Sequence, residues 1–496
     1  MSISRVAVVG AGIIGVALAR EITRQLPDAE VTVFDRGPGI ASAQSGHTAG
    51  IVHAGLDAEP GSLDATLARR GLELLIPYLV GQGLAYRECG QLVVAQDTDE
   101  VDRLDDLLTR AKANDVPGVR MVDRAEMREI EPAARGVQAL YSPHTAITDF
   151  KAVTEALASE IRDAGGRFRF HTEVTGIDAL SNEVRIRTRA VSPKDDSGAS
   201  SESGYSTDLV VESDSDLDGE VHDRPRTYRG GDDEAVADAS ARGGLRGRLG
   251  DELRTRFGDK DWFKQAEDRI DGWSDRNRPT GAEVDAGTFD LVLVAVGLQS
   301  DRLAAASGLS ADPRIVPFST TYSRLDAPAA EAVHGIISSV PDPEEPFEET
   351  VLARTVTGGL LLGPNTHIAL GRSDGSVGDI DLGDLGASFG FSGFWKFAKR
   401  NVRSAAEGVR SAASTSAFVE RIRKYAPDLD TAGMAAGPKG VSGQAIDGKG
   451  EHVTGLVVTA RGRLTQVRNT PRAGATSALA IAEHVVTAAL KSAGRR

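Results

Sequence analysis

The chain opens on a continuous apolar run and then changes period. VAVV, within RVAVVGAGIIG, has the pattern of a strand buried on both faces; VALAREITRQL then carries apolar residues at helical spacing, and EVTVFDR reads as a second strand. Strand, glycine turn, helix and strand within the first 36 residues predict one mononucleotide-binding half of a doubly wound sheet. A Gly/Ser/Ala-rich loop covers residues 37–50, and the chain turns at Pro60 and Gly61 into a helix. Residues 86–150 alternate strand, helix and turn signals. DFKAVTEALASEIRDAGG is a helix ending in a Gly-Gly turn, followed by strands in RFRFHTEVTGIDAL and VRIRTRAV.

The pattern breaks from Ser192 to Asp238, where Ser, Asp, Glu and Gly replace large apolar residues and too little surface can be buried to offset chain entropy. This stretch is expected to be disordered. Residues 239–285 carry mixed charges, with a short amphipathic helix expected around Phe257, Trp262 and Phe263. TFDLVLVAVG resumes the fold as a buried parallel strand. Residues 311–385 are strand-like and 388–430 helical, with Phe394, Trp395, Phe397, Phe418, Ile422 and Tyr425 as core, and 432–496 return to strand, loop and terminal helix. The expected fold is α/β. A Rossmann-like nucleotide-binding domain with a parallel sheet would use residues 1–85, 150–191, 286–310 and 432–496. An α+β substrate domain with a mixed or antiparallel sheet would use 86–149 and 311–431, leaving 192–285 as a charged insertion.

Composition narrows the function. Of 496 residues 40% are hydrophobic, enough for a sizeable core, and the net charge of −15 argues against a nucleic-acid partner because no general positive field attracts phosphates. A small anionic substrate would need local positive charge. The single cysteine, Cys89, excludes an intrachain disulfide and points to a reducing, cytoplasmic compartment, with packing as its expected role. The N-terminal residues lack the order of a signal peptide, and no apolar run reaches the roughly 18 residues of a membrane span.

Gly10, Gly12 and Gly15 stand between strand and helix, where the first permits a tight turn, the second lets backbone approach a pyrophosphate, and the third lets helix and strand pack closely. Asp35 ends the second strand, at the place where a carboxylate accepts from ribose hydroxyls. SGHTAGIVHAG, Ser45 to Gly55, supplies a further loop of small residues carrying His47 and His53. Near the C-terminus, Pro and Gly precede an Ala-rich helix starting near Ala475, whose N–H groups could face the pyrimidine edge of a flavin. Such a loop, together with a distant return of the chain, favours FAD over NAD.

These segments and others resemble the L-2-hydroxyglutarate dehydrogenase/oxidase family, within the wider group of FAD enzymes that includes D-amino acid oxidase, glycine oxidase and sarcosine oxidase. SGHTAGIVHAG with PGSL, CGQLVVA, VPGVR, EPAARG, PHTAITDF, VAVGLQSDRLA, DPRIVPF, LLLGPN, GPKGV, QAID, VRN and ATSALAIAEH occur in family order and span nearly everything except the insertion. The resemblance implies FAD contacts from Gly10, Gly12, Gly15, Asp35, Arg36, Ser45, His47, Thr48, Val174, Gly297, Gly440 and Thr476, and no metal. It also implies an Arg where this chain has Ser319, a His at Val351, an Arg at Ser442 and a His at Gln466. Their loss removes cations expected to hold a dicarboxylate. Arg472, Arg354 and Tyr322 are the candidates for holding the substrate carboxylate, with Arg468 flanking the same region.

The expected reaction is dehydrogenation of a small 2-hydroxy acid. His53 would take the hydroxyl proton, because an unperturbed imidazole titrates near pH ~6.5, close to working conditions. Reoxidation by oxygen, a quinone or a protein stays open. Two alternatives are oxidation of an amine or amino acid at the same flavin, and a flavin-binding protein whose substrate site has been lost.

Overall fold

The computed structural model describes residues 3–191, 281–342, 349–369, 372, 390–400 and 415–494. The expectations for residues 192–280, including the helix around Phe257, Trp262 and Phe263, lie outside the described residues.

A six-stranded sheet carries the N-terminal unit. Its order is Val457–Arg461, Leu464–Asn469, Leu291–Val294, Arg5–Val9, Glu30–Phe34 and Arg167–Arg169, parallel throughout except for the hairpin that adds Val457–Arg461 at one edge. The apolar run of the first strand divides by alternation between two cores. Val6 and Val8 face the layer of helices Ile13–Gln25, Phe150–Asp163 and Ala478–Ser492, whereas Ala7 and Val9 face Ile177, Val184, Ile186 and Phe289 of a three-stranded antiparallel sheet, Thr172–Ala179, Val184–Ala190 and Val284–Phe289. Both faces are covered beyond the exposed Arg5, so the rest of the strand, Val6 to Val9, has no polar position to show in its sequence.

The second large sheet has nine strands in the order His452–Val453, Ala435–Ile446, Arg314–Leu325, Leu360–Ile368, Val351–Arg354, Ile336–Ser339, Gln91–Ala95, Gln138–Ser142 and Arg120–Val122. All pairs are antiparallel except Ile336–Ser339 with Gln91–Ala95. Ala435–Ile446 and His452–Val453 therefore pair within the nine-stranded sheet, although the sequence groups residues 432–496 with the N-terminal unit; only the chain from Val457 onward joins the six-stranded sheet. The segment AAGPKGVSGQAI has too few large apolar residues to declare which sheet it joins.

Phe418, Ile422 and Tyr425 of helix Thr415–Tyr425 are buried against this sheet, and Phe394 and Phe397 of helix Ser392–Arg400 pack on Val316, Phe318 and Ile446. Trp395, expected in the core, is 49% exposed: it neighbours Phe394 on the helix but turns to the outer side. The terminal helix begins at Ala478, three residues beyond the expected start. No helix of the described residues is long and apolar enough to cross a membrane.

Where the two sheets meet, a buried ion pair fixes the connection. Arg372 donates to both Asp301 oxygens (2.5 and 3.0 Å) and to the carbonyls of Leu298 and Ile315. Both side chains are almost fully buried, so each charge depends on the other and on these carbonyls for its solvation.

Candidate active site

The first glycine turn is close-packed. Gly10 has φ +108°, and a Cβ there would lie 2.2 Å from the Ala295 carbonyl oxygen; one on Gly15 would lie 1.9 Å from the Gly10 oxygen. Gly12 is the N-cap of helix Ile13–Gln25 and supplies no side-chain acceptor, and no acidic residue stands in the first turn. Ser45, from the following loop, accepts the Ile13 N–H at 3.0 Å. At the end of the second strand the Asp35 carboxylate accepts from the N–H groups of Ala11 and Gly37, both at 2.6 Å, which fixes its orientation beside the turn.

The terminal helix Ala478–Ser492 also begins without a side-chain cap, and the hydroxyl of its N-cap Ser477 is fully buried with no hydrogen-bond partner among the described residues. Four other helices are capped in the usual way, Ser62, Asp97, Asp123 and Asp149 accepting first-turn N–H groups, whereas the short helix Ser300–Ala306 is also uncapped. Two packed helices whose N-cap residues bring no acceptor of their own suit an anionic diphosphate and an electron-rich ring edge, with the Ile13 N–H of the first already taken up by Ser45. The residues present thus fit a flavin dinucleotide.

The histidine loop lies against the terminal helix. The His53 N–H donates to the Thr476 hydroxyl (3.1 Å), tying together two segments 423 residues apart. A pocket opens beside it. Its floor is a row of cross-strand neighbours in the nine-stranded sheet, Val93, Ser338 and Val351, with Gln91 donating to the Ser338 hydroxyl at 2.9 Å. The row continues through Gly363, which pairs with Val351 and whose missing side chain leaves room for the Tyr322 ring; a Cβ there would lie 2.8 Å from it. His53, Leu56, Asp57, Glu349 and Arg472 are among the other lining residues.

Charge in this pocket is arranged around Arg472, the one Lys or Arg among the described lining residues. It pairs with Glu349 in a short hydrogen bond and with Asp57 at 3.8 Å, and its side chain is 46% exposed. Glu349 and Asp57 hold the guanidinium charged. Burial, and then the nearby Arg472 charge, push the His53 imidazole below its ordinary value, against smaller opposing effects of Asp57 and Glu349. His53 is therefore a neutral base at pH 7. The Tyr322 phenol is pushed up by burial and by Glu349, so it keeps its proton and remains a donor.

Other predicted residues scatter. His47 and Thr48 are exposed on the loop; the His47 side chain lies against Gly440, where a Cβ would come within 3.0 Å of it. Gly297 adopts φ +49° against the Gln44 side chain, Val174 is half-buried on the antiparallel sheet, and Arg36 is exposed beyond Asp35. Arg354 does not join Arg472: it donates to the Ala330 carbonyl and is influenced by Arg87, Glu331 and Glu131 instead. Arg468 is fully buried and donates to the carbonyls of Ser310, Ala311 and Pro313. Of the four departures, Val351 lines the pocket, while Ser319 and Gln466 are buried and Ser442 sits 3.2 Å from the Thr320 hydroxyl.

Sequence reasoning missed Glu349 and Asp57. Asp57 stands four residues after His53, a usable signal, whereas Glu349 is one acid in the run EEPFEE and nothing distinguishes it.

Residues 5–201 match the family model described as FAD dependent oxidoreductase. The L-2-hydroxyglutarate dehydrogenases, mitochondrial, of Nematostella vectensis and Caenorhabditis elegans are 30% and 29% identical over 489 and 488 residues, covering 97% of this chain and 89% and 92% of theirs. The L-alpha-glycerophosphate oxidase of Mycoplasma pneumoniae, solved with FAD bound, shares the fold at a TM-score of 0.64, with 15% identity over 100% of this chain and 96% of that one. With the glycine turn, the paired helix starts and the pocket, these similarities define an FAD-dependent oxidoreductase. Within that class the chain belongs to the L-2-hydroxyglutarate dehydrogenase family.

Proposed function

We propose that this enzyme oxidises L-2-hydroxyglutarate, or a 2-hydroxy acid closely related to it, to the 2-oxo acid in the pocket between His53 and Arg472. The observation that carries the reading is the environment of His53: a half-buried imidazole, kept neutral, beside the pocket's arginine and next to the start of the terminal helix.

Gly10, Gly12, Gly15 and Ser45 would hold the FAD diphosphate at the first helix start, with Asp35 on the ribose and Arg36 beyond it. His47, Thr48, Val174, Gly297, Gly440 and Thr476 would contact the remainder of the cofactor. When bound, FAD supplies the acceptor for the hydride leaving C2 of the substrate. The residues of the chain manage the rest. Arg472 presents a planar fork to the C1 carboxylate, and Tyr322, whose phenol feels both Glu349 and Arg472, keeps its proton as a donor. An imidazole nitrogen of His53 takes the hydroxyl proton as C2 and its oxygen form the carbonyl, so that two electrons and two protons leave the substrate in all.

The family's substrate is a dicarboxylate, and one arginine serves one carboxylate. Ser338 and Gln91 offer neutral hydrogen-bonding groups to the distal end. The single cysteine, half-buried with its thiol pushed up by burial, accords with a reducing, cytoplasmic setting. The sheet pairing supports a nucleotide domain containing residues 1–85, 150–191 and 286–310 together with the chain from Val457 onward, and a substrate domain that includes 435–453.

A second reading is favoured by Asp57 and Glu349, whose negative charges would attract the ammonium of an amino acid. Steady-state turnover of the holoenzyme with an artificial dye acceptor separates the two. L-2-hydroxyglutarate should give the highest kcat/KM in a panel with L-lactate, L-2-hydroxybutyrate, glycine, sarcosine and L-proline; turnover confined to the amines would establish the second reading instead.

A further inference from the structure

Arg472 meets the pocket already paired. Its guanidinium is bonded to Glu349, which is 28% exposed, and flanked by Asp57. Glu349 itself lines the pocket, so its carboxylate stands where an incoming carboxylate would seek the same fork. The fork cannot serve both fully, and two carboxylates brought to one site repel one another.

We infer that Glu349 is a specificity-determining residue: its carboxylate occupies Arg472 in the free enzyme as an internal stand-in for the substrate carboxylate and must be displaced when substrate binds. This inference rests on Arg472 as the carboxylate-binding group of the proposed function. Two consequences follow from the charges. Every carboxylate ligand gives up binding energy to the exchange, and a dianion gives up more than a monoanion because its second charge also feels Glu349 and Asp57. The contact joins residues 123 positions apart and is not one of the local pairs by which exposed helices or strands decorate themselves. Within the pocket, Glu349 thus opposes the affinity that Arg472 provides.

The test is calorimetric titration of the FAD-loaded enzyme with glutarate and with butyrate, neither of which carries a hydroxyl to oxidise. Glu349→Gln keeps the shape and removes the charge; it should bind glutarate roughly three- to tenfold more tightly than the wild type, and butyrate with a smaller gain. Glu349→Ala should show the same direction, which guards against a defect peculiar to the amide. In an Arg472→Gln background the gain from Glu349→Gln should shrink to the part due to direct charge repulsion, a coupling that a merely structural role would not produce. In steady state the effect should fall on KM for a hydroxy acid more than on kcat. Glutarate affinity unchanged or weakened in both Glu349 variants, at wild-type flavin content, overturns the inference, as does a gain that is undiminished by loss of Arg472. Because glutarate is not turned over, these outcomes are independent of the substrate assignment, which fails separately if the wild type oxidises no hydroxy acid.

Discussion

Replacing His53 with glutamine lowers kcat/KM for the hydroxy acid by roughly two to four orders of magnitude while the protein keeps its flavin. Glutamine preserves polarity and approximate size, and the backbone N–H that binds Thr476 is untouched, so the loop should hold its place. What disappears is the proton acceptor. The pH profile gives a second signature. In the wild type, kcat/KM should fall on the acid side as His53 protonates, with a midpoint below its ordinary value of 6.5, because burial and then Arg472 disfavour the charged ring. The base is therefore mostly deprotonated at pH 7. In the glutamine variant the acid limb attributable to this group should be absent, and measuring kcat/KM from pH 5 to 8 on both proteins checks both points. An unchanged profile in the variant would assign the base elsewhere.

Gly10→Ala should yield protein purified largely without flavin and destabilised by several kcal/mol, about the scale of a forced overpacking combined with a strained backbone. The cause is specific. The new methyl would meet a backbone carbonyl, Ala295, at 2.2 Å, in a conformation of φ +108° that side chains avoid, and the flexible end of a side chain is not there to yield. Relief requires the turn to separate from the strand Leu291–Val294 beside it, which opens the cradle built from the same turn. Gly39→Ala is the matched control: nothing lies within 4 Å of its Cβ, so flavin content and melting temperature should stay at wild-type values. Absorbance per polypeptide and thermal unfolding measure both.

How much of this was legible beforehand depended on how local each signal is. The nucleotide turn could be read because strand, glycines, helix and acid sit within 36 residues, and Gly10 and Gly15 answer steric demands that no other residue meets. Likewise His53 stood out in a loop just past that unit. Arg354 lies away from the pocket because its strand alternates: Val351 and Ala353 share a face, and Arg354, with Leu352, points to the other. Trp395 misled because aromatic content alone does not reveal which side of a nine-residue helix meets the sheet. The sheet that strand Ala435–Ile446 joins is set by long-range pairing with Arg314–Leu325 and cannot be read from its own residues. Glu349 was invisible for the same reason. Its meaning comes only from Arg472, and the two are brought together by the meeting of the nine-stranded sheet with the loop before the terminal helix.

The most direct measurement is a single anaerobic mixing of the yellow holoenzyme with a slight excess of L-2-hydroxyglutarate, following the flavin absorbance and then quantifying the 2-oxo acid. The long-wavelength band should bleach, with 2-oxoglutarate formed in equal amount to the flavin reduced, and more slowly when C2 carries deuterium. A holoenzyme whose colour persists with this and every other 2-hydroxy acid tried would contradict the account.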